Sequence, residues 1–98
     1  MHKLSLTNNA AFVVGQMLSA AGVFKTPTEI LRAGVLAEKV EITEPRLNDN
    51  EWCVADFGTI EITEAQRELL KAAVTALADK LPPGKVTNSI LTQLGFTE

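Results

Sequence analysis

From Thr63 to Phe96 the chain carries start and stop signals that leave one local arrangement: a long helix, a turn and a short helix. Thr63 and Gln66 make a T-x-x-Q capping box, in which each side chain satisfies a backbone N–H that the first helical turn leaves unpaired. A helix is predicted over Glu64 to Leu81. Leu69, Leu70, Ala73, Val74, Ala76, Leu77 and Leu81 fill one wide arc of it, and Arg67, Glu68, Lys71, Thr75 and Asp79 fill the other. Pro82-Pro83-Gly84 stops that helix and turns the chain. Thr87 is placed to cap the last helix, with Val86 and Leu91 as a hydrophobic staple. Gly95 and Phe96 have the spacing of a Schellman closure. A helix this short is marginal in water, so it must dock on the long one through Ile90, Leu91 and Leu94.

The N-terminal half is helical too. Lys3 to Leu6 alternates polar and apolar, as a short strand or an ordered lead-in does, and Thr7 or Asn8 can cap the helix that follows. That helix is expected to end at Gly22, with Ala10, Val13, Val14, Met17, Leu18 and Ala21 on one core-facing side. Thr26-Pro27-Thr28-Glu29 is a second start signal: a threonine cap, a proline at the first helical position and a glutamate three residues after the cap. The helix from Pro27 is predicted to run through Gly34 to Lys39, because Ile30, Ala33, Leu36, Ala37 and Val40 make one apolar arc.

The period then changes to two. Val40-Glu41-Ile42-Thr43-Glu44 and Ile60-Glu61-Ile62-Thr63-Glu64 are nearly the same pentapeptide, each with β-branched residues flanking a glutamate, and both are predicted strands. Glu51 to Phe57 reads as a third, with Trp52 and Val54 on one side and Cys53 as a small buried hydrophobe on the other. The expected architecture is an α+β fold over residues 1–98 as a single domain. It comprises two N-terminal helices, a short antiparallel sheet of about three strands, a long helix and a short C-terminal helix.

Several activities are disfavoured by what the chain lacks. One cysteine and one histidine, His2 at the start of the chain, exclude a Cys/His zinc site within one protomer and leave no base beside a nucleophile. The six glycines are dispersed and cradle no phosphate. Asp49, Glu51 and Asp56 are the acids closest to a shared loop, but they lack the spacing of a calcium loop. No apolar run reaches the roughly 18 to 20 residues of a membrane span. The expectation is a cytoplasmic protein with no catalytic residue, cofactor, metal, membrane association or small-molecule substrate.

With a formal charge of −3 and nine scattered basic residues, nucleic acid is an unfavoured partner. A winged-helix DNA-binding regulator is the alternative reading, since two helices followed by strands suit it. Its second helix offers only Arg32, Glu38 and Lys39, whereas Lys85, Asn88, Ser89, Thr92 and Gln93 on the last helix are better base readers.

The far side of the first helix stands out against this background. Asn8, Phe12, Gly15, Gln16 and Ser19 project together, a lone aromatic among small, uncharged residues. Either this side meets the sheet or the C-terminal helices, or it anchors another molecule through Phe12, with Gly15 and Ser19 allowing close approach. Trp52 carries the same two readings, core or interface. By elimination the chain reads as a non-enzymatic interaction module. It would be an adaptor, assembly factor or inhibitor of a larger complex, of the kind found among accessory genes of bacteria and phages. Its partner would be another protein or a second copy of itself in a homodimer, through Asn8, Phe12, Gly15, Gln16, Ser19 and Trp52.

Overall fold

Strand β1 (His2–Thr7) and strand β2 (Asp56–Ile62) pair antiparallel across most of the chain, with Leu4 opposite Ile60 and Leu6 opposite Gly58. The computed structural model describes residues 1–20 and 22–96. Alternation sets the faces: Leu4, Leu6 and Ile62 are buried, while Lys3, Ser5 and Glu61 point to water. A register irregularity lies between Leu6 and Thr7, the last pair of the ladder being Thr7 with Asp56, where the chain turns into helix.

Helix α1 (Asn8–Leu18) starts there, with the Thr7 hydroxyl accepting from the Ala10 N–H at 3.2 Å. It ends four residues before Gly22, with Ser19 as its cap; Ala21 lies outside the described residues. Ala10, Ala11, Val14, Met17 and Leu18 are buried, and α1 touches both strands and each of the other helices named below. It is the central helix of the fold.

Helix α2 (Pro27–Lys39) forms over the expected span, capped by Thr26. Ala33, Leu36 and Val40 of the expected arc are buried, but Ile30 is not. After α2 the sequence expectations need correction. Val40–Glu44 is irregular, because among the described residues no strand lies beside it to complete a ladder, and Pro45 follows. Within Glu51–Phe57, residues 50–54 form a short helix, α3 (Asn50–Val54), nucleated by Asp49, whose carboxylate accepts from the N–H groups of Glu51 and Trp52. Local capping there outweighs a three-residue alternation. Among the described residues the sheet therefore has two strands rather than three, and the fold is α+β as expected.

Helix α4 (Glu64–Ala76) opens on the expected capping box, in which the Thr63 N–H donates to Gln66 and the Gln66 N–H to Thr63. It is shorter than the predicted helix to Leu81, since the chain tightens into a 3-10 turn at Ala78–Lys80 ahead of the prolines. Helix α5 (Lys85–Gln93) starts two residues before Thr87, which lies inside it. The Thr87 hydroxyl instead donates to the Pro82 carbonyl at 2.7 Å and pins the turn. Its far end closes as a Schellman motif: the Phe96 N–H donates to Leu91 O and the Gly95 N–H to Thr92 O. One contiguous core joins the strands to α1, α2, α4 and α5 through Leu4, Val14, Leu36, Leu70, Ile90 and Leu94.

Candidate functional site

Four of the residues singled out on α1 open onto one groove. Phe12, Gly15, Gln16 and Ser19 line it from α1, and Gly34, Ala37 and Glu38 face them from α2. Val40, Glu41 and Ile42 close one end of this space of about 510 Å³. The groove is walled by α1, α2 and the segment after α2, with no residue of the sheet or of the C-terminal helices in its lining. Gln16 and Ser19 are exposed and Phe12 is half-buried, while its neighbour Val13 packs on the core. A methyl group at Gly15 would make ordinary contact, at 3.8 Å, with a Val40 side-chain carbon, so the end of α2 packs beside α1 there without requiring glycine.

Asn8 and Trp52 lie elsewhere. They share a second hollow of about 420 Å³ with Phe57 and Arg46, and Glu41 and Ile42 border both spaces. The Asn8 amide donates to the Trp52 carbonyl at 2.9 Å and so works within the protein. Trp52 is half-buried on α3 rather than on a strand.

The largest apolar feature of this side was not among the residues singled out. Ile30, Leu31 and Val35 are 59, 72 and 50% exposed, and with Pro27, Gly34 and Glu38 they form a ridge and shallow depression on the outside of α2. The signal was in the sequence. At about 100° per residue, Leu31 and Val35 project away from Ala33 and Leu36, so α2 is apolar on its outer side as well as its inner one. Gly34 and Glu38 border both the groove and the ridge and make them one surface. The charged side chains in it are Glu38 and Glu41; no lysine or arginine lines it.

The remaining candidates are arranged without a shared centre. Asp49, Glu51 and Asp56 are all exposed, and Asp49 is occupied as the α3 cap. Cys53 is half-buried beside the Leu47 carbonyl, with Sγ 3.5 Å from it. Among the described residues no three His, Cys, Asp or Glu side chains gather as metal ligands, and no helix is long and apolar enough to cross a membrane. On α5, Lys85, Asn88, Ser89 and Thr92 are exposed, but the Gln93 amide is bound to the Ser5 backbone. No protein-family model matches the chain, and no match is found among curated proteins or solved structures.

Proposed function

We propose that this chain is a non-enzymatic protein-interaction module, an adaptor, assembly factor or inhibitor, that engages its partner through the joined α1–α2 surface. The observation that supports this most is the outer side of α2, where three large aliphatic side chains in thirteen residues face water. A helix packed on a core ordinarily turns charge outward; one that is apolar on both sides has a second surface to cover. The groove beside it offers Phe12 as a half-buried aromatic anchor, the type of residue in which binding energy concentrates.

Affinity capture from the native cell, with wild type compared against Leu31→Glu and Phe12→Asp, tests the reading. Wild type should retain a discrete protein partner or itself, and both variants should lose it while keeping the far-UV circular dichroism of the wild type. Retention by both variants, or the absence of any stoichiometric partner, rejects this surface.

A further inference from the structure

We infer that Val40–Glu44 is a strap that closes onto the outer edge of β2 as a third, antiparallel strand, with Glu41 opposite Thr59. The inference is independent of what the α1–α2 surface binds.

The first argument is the open edge. In an antiparallel ladder, two directly opposed residues either exchange both backbone bonds or turn all four groups outward. Ser5 gives its N–H and its carbonyl to Gln93, so Thr59 opposite it also turns away from the ladder. Two residues on, the Glu61 carbonyl accepts from the Lys39 ammonium at 2.8 Å, which confirms the same phase. Gln93 thus covers the β1 edge, whereas the β2 edge is bare. Among the described residues, no partner outside the ladder reaches the Thr59 N–H, the Thr59 carbonyl or the Glu61 N–H. Groups in that alternation are satisfied by an extended strand.

The second argument is where the next segment runs. Lys39, the last residue of α2, already stands at the Glu61 end of the edge. Ile42, Thr43 and Glu44 then face Phe57, four residues earlier on β2, across the hollow of about 420 Å³. The segment therefore passes β2 in the opposite direction and stands off it by that hollow. Its backbone is also uncommitted. The Val40 and Glu41 N–H groups close the end of α2, but among the described residues the backbone of Ile42, Thr43 and Glu44 makes no hydrogen bond within the protein.

The third argument is register. Val40 is buried and Ile42 packs on the core, the side to which β2 turns Ile62. With those side chains kept inward and Lys39 level with Glu61, Val40 falls opposite Ile60, Glu41 opposite Thr59 and Ile42 opposite Gly58. A slip of one residue would turn Val40 and Ile42 to water. A slip of two would set Glu41 against Glu61, like charge against like. One register remains, and its sequence, Val-Glu-Ile-Thr-Glu, has the β-branched alternation of a strand. The covalent tether makes the pairing intramolecular, at an effective concentration of order mM.

Disulfide trapping tests the strap. In the full chain carrying Cys53→Ser, the pair Glu41→Cys with Thr59→Cys should cross-link within the monomer under mild oxidation, since opposed residues that exchange backbone bonds have Cα atoms about 5.5 Å apart. All three substituted edge positions, 41, 43 and 59, are exposed, so the far-UV circular dichroism should be unchanged. The pair Thr43→Cys with Thr59→Cys, two residues out of register, should cross-link about tenfold more slowly. Without any cysteine pair, Thr43→Pro should speed amide exchange at Thr59 about threefold or more relative to wild type, while Thr43→Ala, which keeps the N–H, should not. Absence of the intramolecular cross-link, or equal rates for the two pairs as in an unstructured loop, overturns the strap. Cross-links formed only between chains would assign the edge to a second copy and overturn it too. Thr59 exchange unaffected by Thr43→Pro has the same consequence.

Discussion

The side-chain amide of Asn8 donates to the carbonyl of Trp52 at 2.9 Å, joining the first residue of α1 to the middle of α3. The Asn8 backbone N–H donates to Ala55 O, also at 2.9 Å, so one residue satisfies two carbonyls at the end of the short helix. Asn8→Ala should cost about 1 to 2 kcal/mol, read from urea unfolding, and should red-shift the emission of Trp52, the only tryptophan. Asn8→Asp separates two explanations. An acid at a helix N-terminus is ordinarily favourable, so a stability gain would show that the amide bond is idle, whereas a loss follows if the donor matters.

A second side chain works as a substitute strand. Gln93 of α5 accepts from the Ser5 N–H at 2.7 Å and donates to the Ser5 carbonyl at 2.8 Å, covering the edge of β1 that β2 leaves open. Gln93→Ala should lower stability by about 1 to 2 kcal/mol for two lost hydrogen bonds. It should also raise static light scattering at high concentration, because a bare edge recruits other strands. Unchanged urea midpoint and scattering would make the clamp incidental.

These two contacts show where sequence reading stops. Local signals were legible: the caps at Thr26 and Thr63 and the closure at Gly95 each depend on residues within four or five positions, and all are found. The pentapeptides Val40–Glu44 and Ile60–Glu64 were read alike and folded differently, since only the second has β1 beside it. That partner is nearly 60 residues away and leaves no trace in the pentapeptide. Trp52 to Val54 was lost to a local competitor, the Asp49 cap, which a count of alternating residues does not weigh. Of the candidate surface, the Phe12 side was legible as an uncharged helix face. Its α2 half is carried by Leu31 and Val35, which lie in the same projection but outside the Ile30-to-Val40 arc that fixes the helix on the core. Asn8 shares the helical projection of Phe12, but the short helix that takes its amide was not foreseen.

Leu31 and Leu36, five residues apart on α2, should separate surface from core. Leu36 is fully buried and Leu31 is 72% exposed. Leu36→Ala should destabilise by about 2 to 5 kcal/mol, the range for a cavity in a packed interior. Leu31→Ala should change monomer stability by no more than about 0.5 kcal/mol, measured in dilute solution. A comparable loss at both positions would mean that the outer side of α2 is not free.

Gly95 and Arg67 are coupled at the other end of the molecule. Gly95 has φ of +96°, and a Cβ there would lie 2.6 Å from Arg67 Nη2, which donates to the Leu94 carbonyl at 2.8 Å. Gly95→Ala should cost about 2 kcal/mol, mostly as left-handed backbone strain with the displaced guanidinium adding the rest. Arg67→Ala loses the same hydrogen bond, so the double variant should fall short of the sum by about 1 kcal/mol. Strict additivity in equilibrium unfolding would show that Arg67 swings clear without losing its carbonyl.

The pairing of His2 with Glu64 links the first strand to the start of α4 and makes stability depend on pH. The Glu64 carboxyl is held below its ordinary value of 4.5, chiefly by the hydrogen bond from His2. The positive charges of His2 and Arg67 and a hydrogen bond with Glu68 add to this, against a desolvation that raises it. Folding therefore favours the carboxylate. Its contribution is complete above the unfolded value near 4.5 and is lost as pH falls through the lower folded value. Glu64→Gln should be less stable than wild type at pH 7, and the gap between their urea midpoints should close on acidification below about pH 4.5. His2→Ala should reproduce the closing gap, because it removes the principal cause. A gap that widens toward low pH would reverse the sign and place the stabilising proton on the folded carboxyl instead.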